Sequence, residues 1–321
     1  MIKEYVDTVN VDLTDKCILK CSKCPRNFPE TDLSKHEDIS IQDFTKLCDH
    51  FVSIRICGQM SDPIYHPDFL ILLEIALSKC KKIDIHTNGY GKKRSFWEKA
   101  FNLSRGVKKC RWKFALDGLP DQSHIYRENQ DGFEVWETMK AGSLLGVRIE
   151  WNYIIFKYNQ HSIKSAKKLA KQHNMEFCLV NSSRWDGEDD PLKPDKKEHY
   201  IIKKSKYLRN KNYEKKKVLK PRCMGYNKDQ MARAYGSQNL LLGCRFADPV
   251  YQQVSNDRAW DIIYNDSMKL KNFNSVQEVY DTPNWKEFQR RLIEEPDKAP
   301  ELCKQICSHS DMSRKVDYDI D

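Results

Sequence analysis

The sequence predicts an α/β protein, a parallel sheet with helical crossovers joined to a smaller C-terminal region, and three observations carry that expectation. Six β-rich segments, each closing on turn residues, fall within residues 1–185. Amphipathic helical patterns lie between them, the alternation that parallel strands with crossovers produce. Beyond residue 185 the chain becomes charged and then cysteine-bearing, with no further β–α repeat. Eight strands would close a full barrel. Six leave an open, partial barrel or a doubly wound sheet, and periodicity does not choose between them.

The elements follow in order. Val9, Asn10, Val11, Asp12 and Leu13 alternate at period two and read as the first strand. Residues 51–57 are apolar and β-branched and stop at Gly58, and residues 83–87 stop at Asn88-Gly89. Residues 111–116 stop at Asp117-Gly118; residues 148–156 form a longer run and residues 176–180 a sixth. Helical spacing appears in Ile41, Phe44, Leu47 and Phe51, and again in Phe69, Leu72, Leu73, Ala76 and Leu77 with Pro67 at the start. Residues 95–103, 133–145 and 162–173 continue the series. The domain division expected from these patterns is a barrel over residues 1–185, a charged basic linker over 186–220 and a C-terminal domain over 221–321.

Composition narrows the function. At 40% hydrophobic residues, the 321-residue chain can bury a core, which excludes wholesale disorder. Its longest apolar run, residues 69–77, is interrupted by Glu74 and is far short of the roughly 20 residues of a membrane span. The start, Met1-Ile2-Lys3-Glu4-Tyr5, lacks the apolar segment of an export signal, so a cytoplasmic protein is expected. Lysine and arginine exceed acids by 55 to 46, a weak pointer to acidic partners. Residues 203–220 hold much of that excess and read as a solvated linker or as a patch gripping an acidic or phosphorylated substrate. The 12 cysteines say more, because in a reducing compartment closely spaced cysteines hold metal rather than form disulfides.

Cys17, Cys21 and Cys24 form C-x3-C-x2-C just after the first predicted strand. Three thiolates on one loop suit three corners of a cubane iron–sulfur cluster and leave the fourth iron open, whereas a structural site takes four ligands. A zinc site borrowing a distant ligand and unrelated surface cysteines are the other readings.

The run Cys17-Ile18-Leu19-Lys20-Cys21-Ser22-Lys23-Cys24, after the first of six strands, resembles the cluster loop of the radical S-adenosylmethionine superfamily. Gly58-Gln59-Met60-Ser61-Asp62-Pro63 with His66-Pro67-Asp68 resembles that family's Gly-Glu-Pro region, with the Glu absent. His86-Thr87-Asn88-Gly89, and Ala115-Leu116-Asp117-Gly118 with Tyr126-Arg127 downstream, resemble segments of its members with C-terminal auxiliary clusters. The resemblance implies a partial (β/α)6 TIM-like barrel. It also implies a 4Fe-4S cluster on Cys17, Cys21 and Cys24 that binds S-adenosylmethionine at its open iron and cleaves it reductively to a 5′-deoxyadenosyl radical. Contacts to the nucleotide are then expected from Lys23 (where the family often carries an aromatic), Gly58, Gln59, Met60, Asn88, Asp117, Arg127 and Asn152. Ordinary strand-end turn chemistry is the plain alternative for Asn88 and Asp117, and a surface arginine for Arg127.

Cys223, Cys244, Cys303 and Cys307 form the second group. Cys303 and Cys307 have helix-turn spacing, and Cys223 and Cys244 bracket a hairpin pattern at 233–242. Four thiolates make a closed site, and the resemblance here is to the "twitch" domain, the shortened form of the SPASM domain, which binds one auxiliary 4Fe-4S cluster. Structural zinc and free cysteines remain open. Cys48, Cys57, Cys80, Cys110 and Cys178 lie in apolar barrel segments and read as small core residues.

Together the resemblances imply an oxidoreductase that abstracts a substrate hydrogen atom and completes a two-electron oxidation or oxidative cross-link through the auxiliary cluster. A small molecule, a nucleotide or a peptide, possibly acidic, would be the substrate, flavodoxin or ferredoxin the electron source, and a monomer the favoured state. The rivals are a zinc-dependent nucleic-acid-binding module and a non-catalytic iron–sulfur scaffold.

Overall fold

A computed structural model describes residues 7–28, 37–58, 61–182, 186–187, 189–195, 219, 221, 231–235, 240–242 and 257–307. The chain divides into two compact units, Val11–Lys203 with Gly236–Gln238, and Met1–Asn10 with Lys204–Tyr235 and Asn239–Asp321.

In the first unit the strands are β1 (Thr8–Asp12), β2 (Ser53–Ile56), β3 (Lys82–Thr87), β4 (Cys110–Ala115), β5 (Arg148–Ile155) and β6 (Glu176–Asn181). They lie side by side in the order β6-β5-β4-β3-β2-β1, with the pairs from β2 to β6 parallel. The crossovers are α1 (Ile41–His50), α2 (Phe69–Lys79), α3 (Arg94–Ser104), α4 (Gly132–Leu144) and α5 (Ile163–Gln172). Each observed element sits within two residues of its sequence expectation at either end. The caps explain the sharp starts. Ser40 Oγ accepts the Asp43 N–H at 3.0 Å at the head of α1, and Asp131 takes the N–H groups of Phe133 and Glu134 at α4.

One face of the sheet packs on the helices. Trp112 and Phe114 of β4 meet Phe69 of α2 and Trp97 and Phe101 of α3, with ring centroids 5.9 Å apart for Phe69–Trp112 and 5.7 Å for Phe101–Trp112. Trp136 of α4 covers Trp151 of β5 at 5.2 Å. The period of two then sends the intervening residues to the interior face. There Asp84 stands opposite Arg111, Lys113 opposite Glu150, and Glu150 opposite Glu176. Arg111 reaches Asp84 at 2.9 Å, Glu150 at 2.7 Å and Glu176 at 3.1 Å, while Lys113 holds Glu150 at 3.0 Å. A ladder of paired charges therefore takes the place of the branched apolar layers of a closed barrel.

This ladder corrects part of the cysteine expectation. Cys48, Cys80 and Cys110 are buried among core residues, but Cys57 and Cys178 are only half-buried. Cys178 lies among Glu150, Lys113 and Arg111 on the polar interior face. The β-strand period, not local apolarity, decides which side a strand cysteine takes.

The second unit holds the antiparallel pair β7 (Met231–Tyr235) and β8 (Leu240–Leu242), the hairpin expected between Cys223 and Cys244. Residues 257–307 are helical: α6 (Val276–Asp281), α7 (Pro283–Glu294) and α8 (Glu301–Cys307), with short 3-10 turns between and before them. Thr282 caps α7 through the Trp285 N–H at 3.2 Å, Pro283 opens it, and Trp285, Phe288 and Leu292 form its buried stripe. Among the described residues no helix is long and apolar enough to cross a membrane.

Trp112 is fully buried, and its indole N–H donates to Ser104 Oγ at 3.0 Å. Trp112→Ala should lower unfolding stability by about 3–5 kcal/mol, read from urea denaturation, through lost burial and the cavity left behind.

Candidate functional site

Parallel strands end on one edge, so the loops after β1 to β6 start together there. The loop after β1 carries Cys17, Cys21 and Cys24. Its turn is held by Cys24 N–H to Cys21 C=O at 3.0 Å and by Asn27 Nδ2 to the same carbonyl at 2.9 Å. Lys20 N–H donates to Glu128 C=O at 3.1 Å, which ties the loop to the segment after β4. Leu19, Cys21, Tyr126 and Phe156 form a buried apolar cluster against which Cys17, Cys24, Tyr90, Ile154, Tyr158 and Leu192 pack.

Burial dominates the thiol chemistry. It pushes Cys17 up to about 12, with Asp62, Cys21 and Cys24 adding to the rise. Burial also pushes Cys21 up to about 11 against the pull of Arg127, with Cys24 again adding. Cys17 and Cys21 thus feel neighbouring loop sulfurs, and a multiply charged cation there would reverse the penalty. Among the described residues no group of three histidine, cysteine or acidic side chains is arranged for a single metal ion. Three cysteines on one loop packed against an apolar cluster are the donor type that an iron–sulfur cluster takes.

After β2, Gly58 meets Ser61 closely: a Cβ there would lie 2.3 Å from the Ser61 carbonyl oxygen. Gln59 and Met60 lie outside the described residues. Asp62, which sequence reasoning passed over because the motif's Glu was missing, is buried here. It accepts hydrogen bonds from Thr87 Oγ1 at 2.9 Å, Ile64 N–H at 3.2 Å and Asn88 N–H. Burial lifts its carboxyl to about 6 while these donors pull it down. The signal that could have found it is the carboxylate directly before Pro63.

The turn after β3 is fixed from both sides. Asn88 Nδ2 donates to Cys17 Sγ at 3.7 Å, Asn88 Oδ1 accepts Tyr90 N–H at 2.9 Å, and Gln130 Nε2 donates to Asn88 C=O at 2.8 Å. Gln130 also reaches Ala115 C=O at 3.2 Å, bridging the β3 and β4 ends; nothing in its sequence surroundings marks it. Gly89, at φ +72°, takes a left-handed turn whose missing side chain leaves room for Phe114.

After β4, the fully buried Asp117 pairs with Arg127, Nε to Oδ2 at 2.8 Å, and accepts Ile154 N–H at 2.7 Å. Burial opposes the Arg127 charge, but Asp117 and Cys21 outweigh it and hold the guanidinium above its ordinary pKa. The carboxylate that Arg127 grips is thus the chain's own. Lys23 likewise bonds to Asp190 at 2.8 Å and to Asp186. Asn152 is half-buried on β5, between Ala115 and Cys178 in register, on the interior face. Cys303 and Cys307 lie one turn apart on α8, Cys307 buried, and Cys223 and Cys244 lie outside the described residues.

No protein-family model matches the chain, and no curated protein does. Solved structures do. Streptococcus suis SuiB bound to S-adenosylmethionine aligns with a TM-score of 0.58 at 13% identity, covering 94% of this chain and 70% of that one. SuiB bound to precursor peptide SuiA gives 0.60 at 13% identity, with 94% and 71% covered. Native anSMEcpe with bound AdoMet and Cp18Cys peptide gives 0.56 at 13% identity, with 95% and 91% covered. What is shared at these identities is the fold, and it resolves the choice left open by periodicity in favour of the partial (β/α)6 barrel.

His86 lies on the interior face, and its Nε2 is buried with no hydrogen-bond partner among the described residues. Burial first, then Arg55 and Lys113, push its pKa down to about 3 from the ordinary 6.5. The unfolded chain therefore binds a proton that the folded chain refuses between these pH values. The associated stability is whole above the unfolded pKa and falls as pH drops below it, by at most about 1.4 kcal/mol per pH unit. Urea titrations of His86→Asn should show a shallower loss than the parent on acidification. Equal slopes would mean the ring gains its proton in the folded state.

Proposed function

We propose that this chain is a radical S-adenosylmethionine enzyme acting on a peptide. The carrying observation is the loop of Cys17, Cys21 and Cys24, three cysteines packed at one apolar cluster at the C-terminal edge of the parallel sheet. Its fold likeness to S-adenosylmethionine-bound SuiB and AdoMet-bound anSMEcpe supports the reading. When bound, a 4Fe-4S cluster with one open iron supplies reductive cleavage of S-adenosylmethionine.

The chain's residues divide the remaining work. Cys17, Cys21 and Cys24 hold the cluster, and the apolar packing of Leu19, Tyr126 and Phe156 keeps water from it. Gly58, with the backbone of Gln59 and Met60 after it in sequence, would take the methionyl end. Asn88 and Asn152 are the neutral polar contacts for the nucleotide. Lys23, Asp117 and Arg127 spend their charges on protein partners, so they serve the nucleotide by holding the loops around it.

A peptide substrate is favoured because SuiB and anSMEcpe were each solved with a peptide. Cys303 and Cys307, one helical turn apart, would join Cys223 and Cys244 in an auxiliary 4Fe-4S cluster. That cluster would accept the second electron and make the outcome an oxidation or cross-link, with flavodoxin or ferredoxin as reductant in the cytoplasm.

Anaerobic reconstitution should give about eight irons per chain, four per cluster. Dithionite with S-adenosylmethionine should then release 5′-deoxyadenosine. Cys21→Ala should abolish that release. Cys303→Ala should keep it while the iron count falls to about four. A colourless protein with one or two zinc ions and no nucleoside release would overturn the proposal.

A further inference from the structure

Lys23 stands between two of the three loop cysteines, and its side chain is 16% exposed. It lies 2.8 Å from Asp190, whose side chain is fully enclosed. The Asp190 carboxylate also accepts the N–H groups of Asp186 at 2.8 Å and Leu192 at 2.9 Å, so its orientation is set before the lysine arrives. The added contact of Lys23 to Asp186 involves an acid that is 81% exposed, and counts for little.

The same short segment is fastened at two further points. Lys157 N–H, just beyond β5, donates to Leu192 C=O at 3.0 Å. Gln160 clasps Asp195 twice, Oε1 to the backbone N–H at 2.9 Å and Nε2 to the carboxylate at 2.8 Å. Between these points Leu192 packs into the apolar cluster that contains Cys21 and touches Cys17 and Cys24.

We infer that residues 189–195 are the cover of the cysteine loop, and that Lys23 and Asp190 are the positioning pair that latches it shut over Cys21 and Cys24. Without Lys23 the enclosed Asp190 carboxylate keeps its two backbone N–H donors but has lost its contact with the cysteine loop, so the segment is released there. Its opening exposes the flanking thiols without unfolding the sheet. The inference concerns the loop alone and stands apart from the proposed cluster, because it is read on thiols in the metal-free full chain.

The test is the rate of iodoacetamide alkylation at each cysteine, followed by mass spectrometry on the folded, metal-free protein. Lys23→Met should speed labelling of Cys21 and Cys24 by about tenfold, the loss of one charge-assisted hydrogen bond from the closed state. Cys110, fully buried in β4, should stay slow and reports that the fold is intact. Lys23→Arg should restore slow labelling. Asp190→Asn should act like Lys23→Met, and the double variant should label no faster than either single one. Unchanged rates at Cys21 and Cys24 in Lys23→Met, or an equal rise at Cys110, would overturn the latch. Should Asp190→Asn fail to fold, the pair of lysine variants still decides it.

Discussion

Everything at the candidate site depends on six strands that run the same way. Because β1 to β6 end on one edge, residues from positions 17, 58, 88, 117 and 190 meet there although long helices separate them in the chain. A parallel pair needs a crossover, and each crossover needs an apolar stripe to lie on the sheet. The stack of Trp97, Phe101, Trp112 and Phe114 is that requirement met at β4. The site is therefore a consequence of core packing on the opposite face.

Around the cysteine loop the protein removes water and keeps few charges free. Asp117 answers Arg127, Asp190 answers Lys23, and Asp62 is satisfied by three donors from the β2 and β3 ends. These pairs cost desolvation, and removing one partner would strand the other. What they secure is geometry: Asp190–Lys23 and Asp62 with Thr87 and Asn88 join loops that follow different strands, while Asp117–Arg127 closes the loop after β4 on itself. Cys17 and Cys21 differ: burial, with neighbouring thiols adding, raises both above the ordinary thiol range.

The interior face carries a second electrostatic construction. Arg111 touches acids on three neighbouring strands, Asp84 on β3, Glu150 on β5 and Glu176 on β6. Most of this ladder is buried, and its charges are answered by one another across the strands. It also leaves His86 neutral, held between Arg55 and Lys113.

Much of the fold was legible in the residues themselves. Alternation in Val9–Leu13, the Asn88-Gly89 and Asp117-Gly118 stops, and the helical stripes from Ile41 to Phe51 are local rules of backbone and side-chain period, which a sequence states directly. The grouping of Cys17, Cys21 and Cys24 was legible for the same reason, being contained in one short loop. The helical tail around Trp285 was readable too, from Thr282-Pro283 and its apolar stripe, but its mixed composition obscured it. What the tertiary structure alone decided is partnership across distance. That Asp190 returns to Lys23, that Asp117 accepts the Ile154 N–H, and that Gln130 bridges two strand ends depend on how segments far apart in the chain are brought to one edge. A charged residue's identity says that it needs a partner; only the closed chain says whether that partner is a ligand or another part of the same protein.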